Sequence, residues 1–264
     1  FFVEGAKGLA RQIGIAEVII GLTIVSLGTS LPEILISTQA AWDAHLNPCQ
    51  AGATDCATDF ALGNIYGSVL VQITLILGIV VTIKPMEVKP DWLHRDGTMM
   101  FVAVLLLSIL ILVDGDLNRI EGALLCLLYV FYMVYLIQHR EQIREKEFEM
   151  MEDIRVDSGF DMNWTNSAYF AMLFIGLGLA MFASARVVDS AAGIALQMGV
   201  PSAIVGTTLS AIGTSVPELA VAIIAARRST GVAIGTLIGS NITDPMLSIG
   251  LAALVNPITI GDTG

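Results

Sequence analysis

Charge is scarce in this 264-residue chain: Asp, Glu, Lys and Arg together make up 14% of it. So small a polar inventory cannot cover the surface of an ordinary water-soluble domain of this length. Basic residues are the scarcer half, 13 against 24 acidic. The net charge of −11 excludes a nucleic-acid surface built on phosphate contacts. Cysteine and histidine number three each, and none is placed to suggest zinc or copper. His45, His94 and His139 sit in or beside loops and take no proton-relay role. No nucleophile stands with a base, so a hydrolase within the membrane is set aside, and neither catalytic residues nor a cofactor are expected.

What is abundant is apolar: hydrophobic residues are 55% of the chain and the mean hydropathy is +0.77. Crossing a bilayer takes about 20 such residues. Runs of suitable character lie at 14–41, 60–83, 98–113, 119–137, 167–194, 201–226 and 231–254. The composition predicts a multi-pass, all-α membrane protein. Residues 1–11 read as the last turns of an earlier helix rather than a signal peptide, and the chain stops soon after Pro257. Both ends read as cut from a longer protein. Basic residues collect in three loops: Lys84, Lys89 and Arg95; Arg140, Arg144, Lys146 and Arg155; Arg227 and Arg228. These alternate with loops at 42–59, 114–118, 195–200 and 255–264 that are nearly free of them, apart from Arg119 at a helix start. The positive-inside rule then puts the three basic loops in the cytoplasm. The acids between 141 and 161 read as a solvated linker. A Cys49–Cys56 disulfide is possible in an oxidising exterior.

Two copies of one polar phrase interrupt the apolar sequence: Gly28-Thr29-Ser30-Leu31-Pro32-Glu33 and Gly213-Thr214-Ser215-Val216-Pro217-Glu218. A carboxylate inside a membrane span is costly and marks a functional site by default. The copies lie 185 positions apart, and the same offset pairs Gly14 with Gly199, Gly21 with Gly206 and Thr23 with Thr208. Beyond the motif the repeat continues at an offset of 172, matching Gly63 to Gly235, Gly67 to Gly239, Ser68 to Ser240 and Pro85 to Pro257. Five crossings separate the two starting points, and an odd number inverts the second copy. Inverted repeats with a midplane site are a recurrent design of secondary transporters. The organisation read here is a first repeat at 1–137, an acidic linker at 138–163 and a second repeat at 164–264.

Proline inside a helix removes a donor and clashes with the carbonyl four residues back. Carbonyls near Thr29 and Thr214 are thereby freed, hydroxyls of Thr29, Ser30, Thr214 and Ser215 stand beside them, and Glu33 and Glu218 add charge. An all-oxygen set of this kind suits a hard cation, and its flexibility favours calcium over magnesium. Two glutamates carry the charge of one divalent ion or of two or three monovalent ions in competition, which is a mechanism for antiport. Facing segments run from Gly63 to Gln72 and from Gly235 to Asp244. There Ser68 with Gln72, and Ser240 with Asp244, share one helical face at i and i+4. Gln72 and Asp244 are equivalents, so one charge breaks the pseudo-symmetry; Asp244 reads as a third cation ligand or as a protonated acid. Glu4 and Asp189, also equivalents, read as interface acids, and the methionines as lipid or core contacts.

The repeated Gly-Thr-Ser-x-Pro-Glu with a downstream Gly-x-x-x-Gly-Ser resembles the cation/calcium antiporter superfamily, and within it the sodium/calcium exchanger branch. The likeness covers most of the chain. It implies ten helices, of which this chain would lack most of the first and the last two, and transport of calcium against sodium by alternating access. It further implies that Glu33 and Glu218 are the central calcium ligands, with backbone oxygens from Thr29 and Thr214. Ser26, Ser30, Ser68, Ala211, Ser215 and Ser240 match positions that line sodium sites, and Gln72 and Asp244 match the central polar pair. Two departures stand out: Val69 where the second repeat has Asn241, and Gln72 where asparagine is usual. Proton-coupled exchange, potassium co-transport and a calcium-selective channel remain open alternatives at this point. The implied partners are calcium and sodium ions and the lipid bilayer, and a monomer satisfies them.

Overall fold

The computed structural model describes residues 2–47, 57–151, 165–197 and 211–259. Their architecture is helical throughout, apart from one two-residue strand pair. An amphipathic first helix, α1 (Phe2–Ile13), is followed by α2 (Glu17–Thr29) and α3 (Leu31–Leu46), which form one span bent by 46°. Next come α4 (Thr58–Ile83), α5 (Pro90–Val113) and α6 (Arg119–Gln138). Then follow α7 (Arg140–Met151), α8 (Asn166–Gln197) and α9 (Val216–Arg228), and finally α10 (Thr230–Val255). Strands β1 (Asp116–Leu117) and β2 (Ile258–Thr259) pair antiparallel, Asp116 opposite Thr259 and Leu117 opposite Ile258.

The expected spans are met by α2–α3, α4, α5, α6 and α10; α8 covers the run at 167–194 with its apolar part at Ser167–Ala183, and the run at 201–226 is described from residue 211 onward. One boundary needs correction. The helix expected at 98–113 begins at Pro90, so it takes in Arg95 and Asp96. These charges are tolerated because they satisfy each other: Arg95 donates to both Asp96 oxygens at 2.5 and 2.7 Å, and the Tyr132 hydroxyl donates to Asp96 at 2.7 Å. Within the stretch read as an acidic linker at 138–163, α7 is helical, and of its residues 140–145 all but Ile143 are exposed. The proposed Cys49–Cys56 bridge and the side chain of Asp189 lie outside the described residues.

Helix α10 is the axis of the molecule. Its apolar stretch is 72% buried, against 28–33% for α4, α5 and α6, whose uncovered faces carry Phe101, Leu112, Leu127 and Phe131. Three apolar clusters surround it: one with α1, α2, α8 and α9, one with α5, α6 and the start of α2, and one with α3, α4 and β2. Glycine lets α10 come this close to α2. A Cβ on Gly235 would lie 2.5 Å from the Val18 carbonyl oxygen, and one on Gly21 2.8 Å from that of Val232. Backbones therefore touch where the two helices cross, as small residues permit in membrane bundles.

The ends of the helices sort into two groups. At one end Arg144 donates to the Gly14 carbonyl at 3.1 Å, Lys7 to that of Arg228 at 3.2 Å, Arg228 pairs with Glu4, and Ser229 bonds Glu17. At the other, β1 meets β2 and Arg119 reaches the Val255 carbonyl at 3.3 Å. The basic segment around Arg144 and the basic pair 227–228 thus share one end, and the poorly charged loops 114–118 and 255–259 share the opposite one. Helix α3 runs away from the basic end and α9 runs toward it, which is the inversion expected from the odd number of crossings.

Candidate functional site

Both polar phrases break their helices in the same way. Ser30 has φ −80° and ψ 4°, and Ser215 has φ −85° and ψ 1°. Each break leaves a glutamate in the first turn of the following helix, Glu33 in α3 and Glu218 in α9, with proline just before it. A helix start carries a partial positive charge that favours a carboxylate there. Ser-x-x-Glu is also the spacing of a capping box, in which serine and glutamate would bind the helix backbone reciprocally. Neither serine caps its helix, so the polar atoms are spared for the interior.

The second pair of segments shares another irregularity. A π turn spans Gln72–Ile76 in α4 and another spans Asp244–Ser248 in α10, the same 172 positions apart as the rest of that alignment. Widened turns of this kind concentrate at functional sites because they re-aim side chains and loosen the backbone ladder. Here they begin at Gln72 and Asp244.

Between these four breaks lies a fully buried polar layer: Ser26, Thr29, Ser30, Glu33, Ser68, Gln72, Ser215, Glu218, Ser240, Asn241 and Asp244 are all 0–1% exposed. Ser68 is the junction. Its hydroxyl meets Ser215 at 2.9 Å, Glu33 Oε1 at 3.5 Å and Asp244 Oδ2 at 3.3 Å, and it accepts from Gln72 Nε2 at 2.8 Å. Gln72 also donates to Asp244 Oδ2 at 3.1 Å. Thr29 meets Ser240 at 3.3 Å, so each repeat's motif touches the other repeat's polar helix. Ser215 and Thr214 donate to the Ala211 carbonyl at 3.0 and 3.3 Å. Ser26 donates to Leu22 at 2.7 Å and packs against Gly239, while Ala211 packs against Gly67.

Of the twelve residues expected to line the site, eleven carry side chains in this layer or, for Thr214, at its edge with 8% exposure. Ala211 contributes packing and its carbonyl, and Ser26 turns its hydroxyl back on its own helix. Sequence reasoning left out Asn64, Thr236, Ser37 and Ser248, all buried, and gave Asn241 no role. Asn64 and Thr236 are equivalents under the 172 offset, and Ser37 and Ser248 lie one turn beyond Glu33 and Asp244, so the signal for them was periodicity.

The chemistry of the site is set by what is left unpaired. Among the described residues, Ser30 Oγ, Glu33 Oε2, both oxygens of Glu218, Asn241 Oδ1 and Asp244 Oδ1 are buried with no hydrogen-bond partner. Leaving a buried carboxylate uncompensated costs several kcal/mol. Every one of these orphans is an oxygen, which is the ligand type of hard cations. Among the described residues no three His, Cys, Asp or Glu side chains converge to hold a metal by themselves. A cation here would draw on two glutamates together with neutral oxygens.

The sequence profile described as sodium/calcium exchanger protein matches residues 1–138 and 168–263, one stretch per repeat. The chain belongs to the sodium/calcium exchanger family. The inner membrane protein YrbG of Escherichia coli is 33% identical to it over 97% of this chain and 74% of its own length. The sodium/calcium exchanger MaX1 of Methanosarcina acetivorans is 29% identical over 99% of this chain and 80% of its own length. Among solved structures, the sodium-calcium exchanger NCX_Mj soaked with sodium and calcium superimposes with a TM-score of 0.76 at 27% identity, covering 98% of this chain and 77% of that one. The family assignment makes this exchanger a membrane transporter of cations, calcium among them, and accords with its all-α inverted-repeat fold.

Proposed function

We propose that the protein is a secondary antiporter that moves calcium in one direction against sodium in the other by alternating access. The observation that carries this reading is the set of unpaired buried oxygens on Glu33 and Glu218, placed symmetrically at the first turns of two oppositely directed helices. Two carboxylates neutralise one calcium ion or the sodium ions that replace it, so occupancy by one species excludes the other. Thr29, Thr214, Ser30, Ser68, Ser215 and Ser240 supply the neutral oxygens on this account, and Asp244 a third charge. Ser26 and Ala211 line its flanks. The basic loops face the cytoplasm in this reading.

Potassium co-transport is the second reading. It is favoured by the carboxylate of Asp244 opposite Gln72, and by the similarity to sodium/potassium/calcium exchanger 4 of Homo sapiens, 26% identical over 51% of this chain.

The test is radioactive calcium uptake into proteoliposomes loaded with sodium and diluted into sodium-free buffer. Uptake that requires internal sodium supports the proposal, and a further requirement for potassium supports the second reading. Uptake driven by a pH gradient with sodium absent, or calcium flux with no counter-ion at all, overturns both in favour of a proton exchanger or a channel.

A further inference from the structure

The polar helices of the two repeats differ in hydrogen-bonding character at two positions. Val69 and Asn241 are equivalents, as are Gln72 and Asp244, and the three polar members are buried together. Asn241 Nδ2 donates to the Leu237 carbonyl at 2.7 Å. A backbone carbonyl only accepts, so this bond decides which end of the Asn241 amide is nitrogen. The same nitrogen donates to Gln72 Oε1 at 2.9 Å. That fixes the second amide in turn, and Gln72 Nε2 is left to donate to Asp244 Oδ2 and Ser68.

We infer that Asn241 is a positioning residue for ion exchange: it locks the Gln72 amide so that a donor, and never an acceptor, faces Asp244. This rests on the exchanger reading of the site. In this arrangement both polar atoms of Gln72 are engaged, and Asp244 Oδ2 accepts from Gln72 Nε2, while the single Ser68 hydroxyl hydrogen is shared among Asp244 Oδ2, Glu33 Oε1 and Ser215. Asp244 Oδ1, which has no partner, is the oxygen that remains for a cation. A reversed Gln72 amide would set Oε1 against Oδ2, acceptor against acceptor, and turn the Asp244 carboxylate away from its place. Val69 cannot donate, so the device exists on one side of the pseudo-dyad only. It acts across the repeats, holding a residue of α4 from α10. Groups that orient a ligand are worth on the order of 10–100-fold in metal affinity.

A double-mutant cycle tests the inference. Asn241→Leu keeps the branched shape and removes the donor; Asn241→Ala removes the amide without adding bulk or charge, which guards against a packing defect in the first variant. Each is made alone and with Gln72→Leu. Half-saturating calcium and maximal exchange rate are read in proteoliposomes, and calcium-induced shifts of the unfolding temperature on the purified protein. Either Asn241 substitution is expected to raise half-saturating calcium on the order of tenfold, with a smaller change in maximal rate, and to add nothing in the Gln72→Leu background. No effect in the native background, or an undiminished effect beside Gln72→Leu, overturns the inference. If the native protein responds to another cation and not to calcium, the calcium reading falls instead, and the same cycle is judged with the cation that binds.

Discussion

Glu33 Oε2 and both Glu218 oxygens are buried without a hydrogen-bond partner among the described residues, Glu33 Oε1 has the Ser68 hydroxyl at 3.5 Å, no cationic side chain pairs with either carboxylate there, and this has two opposite consequences. Replacing either by glutamine removes a buried, unpaired charge. The ion-free protein is therefore expected to become more stable, by about 1–3 kcal/mol, while stabilisation by calcium and calcium transport are both lost. Thermal unfolding in chelator and in calcium, run on Glu33→Gln and Glu218→Gln, reads both signs; lower stability in chelator would contradict the account. A contrast between two serine/asparagine positions makes the same point about polar atoms held in reserve. Asn118 caps α6 through the backbone N–H groups of Ile120 and Glu121, so Asn118→Ala should cost about 1 kcal/mol without altering ion affinity. Ser30 occupies a cap position but makes no cap bond. Ser30→Ala is expected to leave stability within about 0.5 kcal/mol and to raise the half-saturating cation concentration.

Among the elements, the contact of α2 with α10 decides whether the two halves of the site stay in register. Both helices bring polar residues into the site, and they meet at Gly21 and Gly235 with no room for a side chain. Gly235→Ala puts a methyl group into the Val18 carbonyl and is expected to lower stability by about 1–3 kcal/mol, with weaker ion binding as the helices part; thermal unfolding and calcium titration of the purified variant check this. Gly178, whose added Cβ would meet nothing within 4 Å, is the control, and its alanine variant should leave ion binding unchanged. The breaks at Ser30 and Ser215 were legible from proline and glycine punctuation, and the apolar runs from their length. The π turns at Gln72 and Asp244 were not legible, since one extra residue in a turn leaves no mark on composition or period. The start of α5 was missed because Arg95 and Asp96 look like loop residues until their mutual bonds and Tyr132 are seen. The positions of the site residues followed from two offsets, but which atom faces which did not: the direction of the Gln72 amide depends on the Leu237 carbonyl, a backbone group that no side-chain pattern records.

At the scale of the whole molecule, the inversion puts α3 and α9 head to head across the polar layer, with the basic loops on one side. Single cysteines introduced at Glu87 and Glu141, in a background with native cysteines removed, are expected to react with an impermeant thiol reagent only from the cytoplasmic face, and one at Asp116 only from the opposite face. Labelling of all three from one side would refute the topology. The central claim is that sodium and calcium contend for the oxygens of Glu33 and Glu218, and equilibrium binding tests it without the complications of flux. Radioactive calcium bound to the purified protein is measured while sodium is raised at constant ionic strength. The account predicts that sodium displaces calcium, that more calcium restores binding to the same maximum, and that neither ion affects the other in Glu33→Gln or Glu218→Gln. Calcium binding indifferent to sodium in the native protein would contradict it.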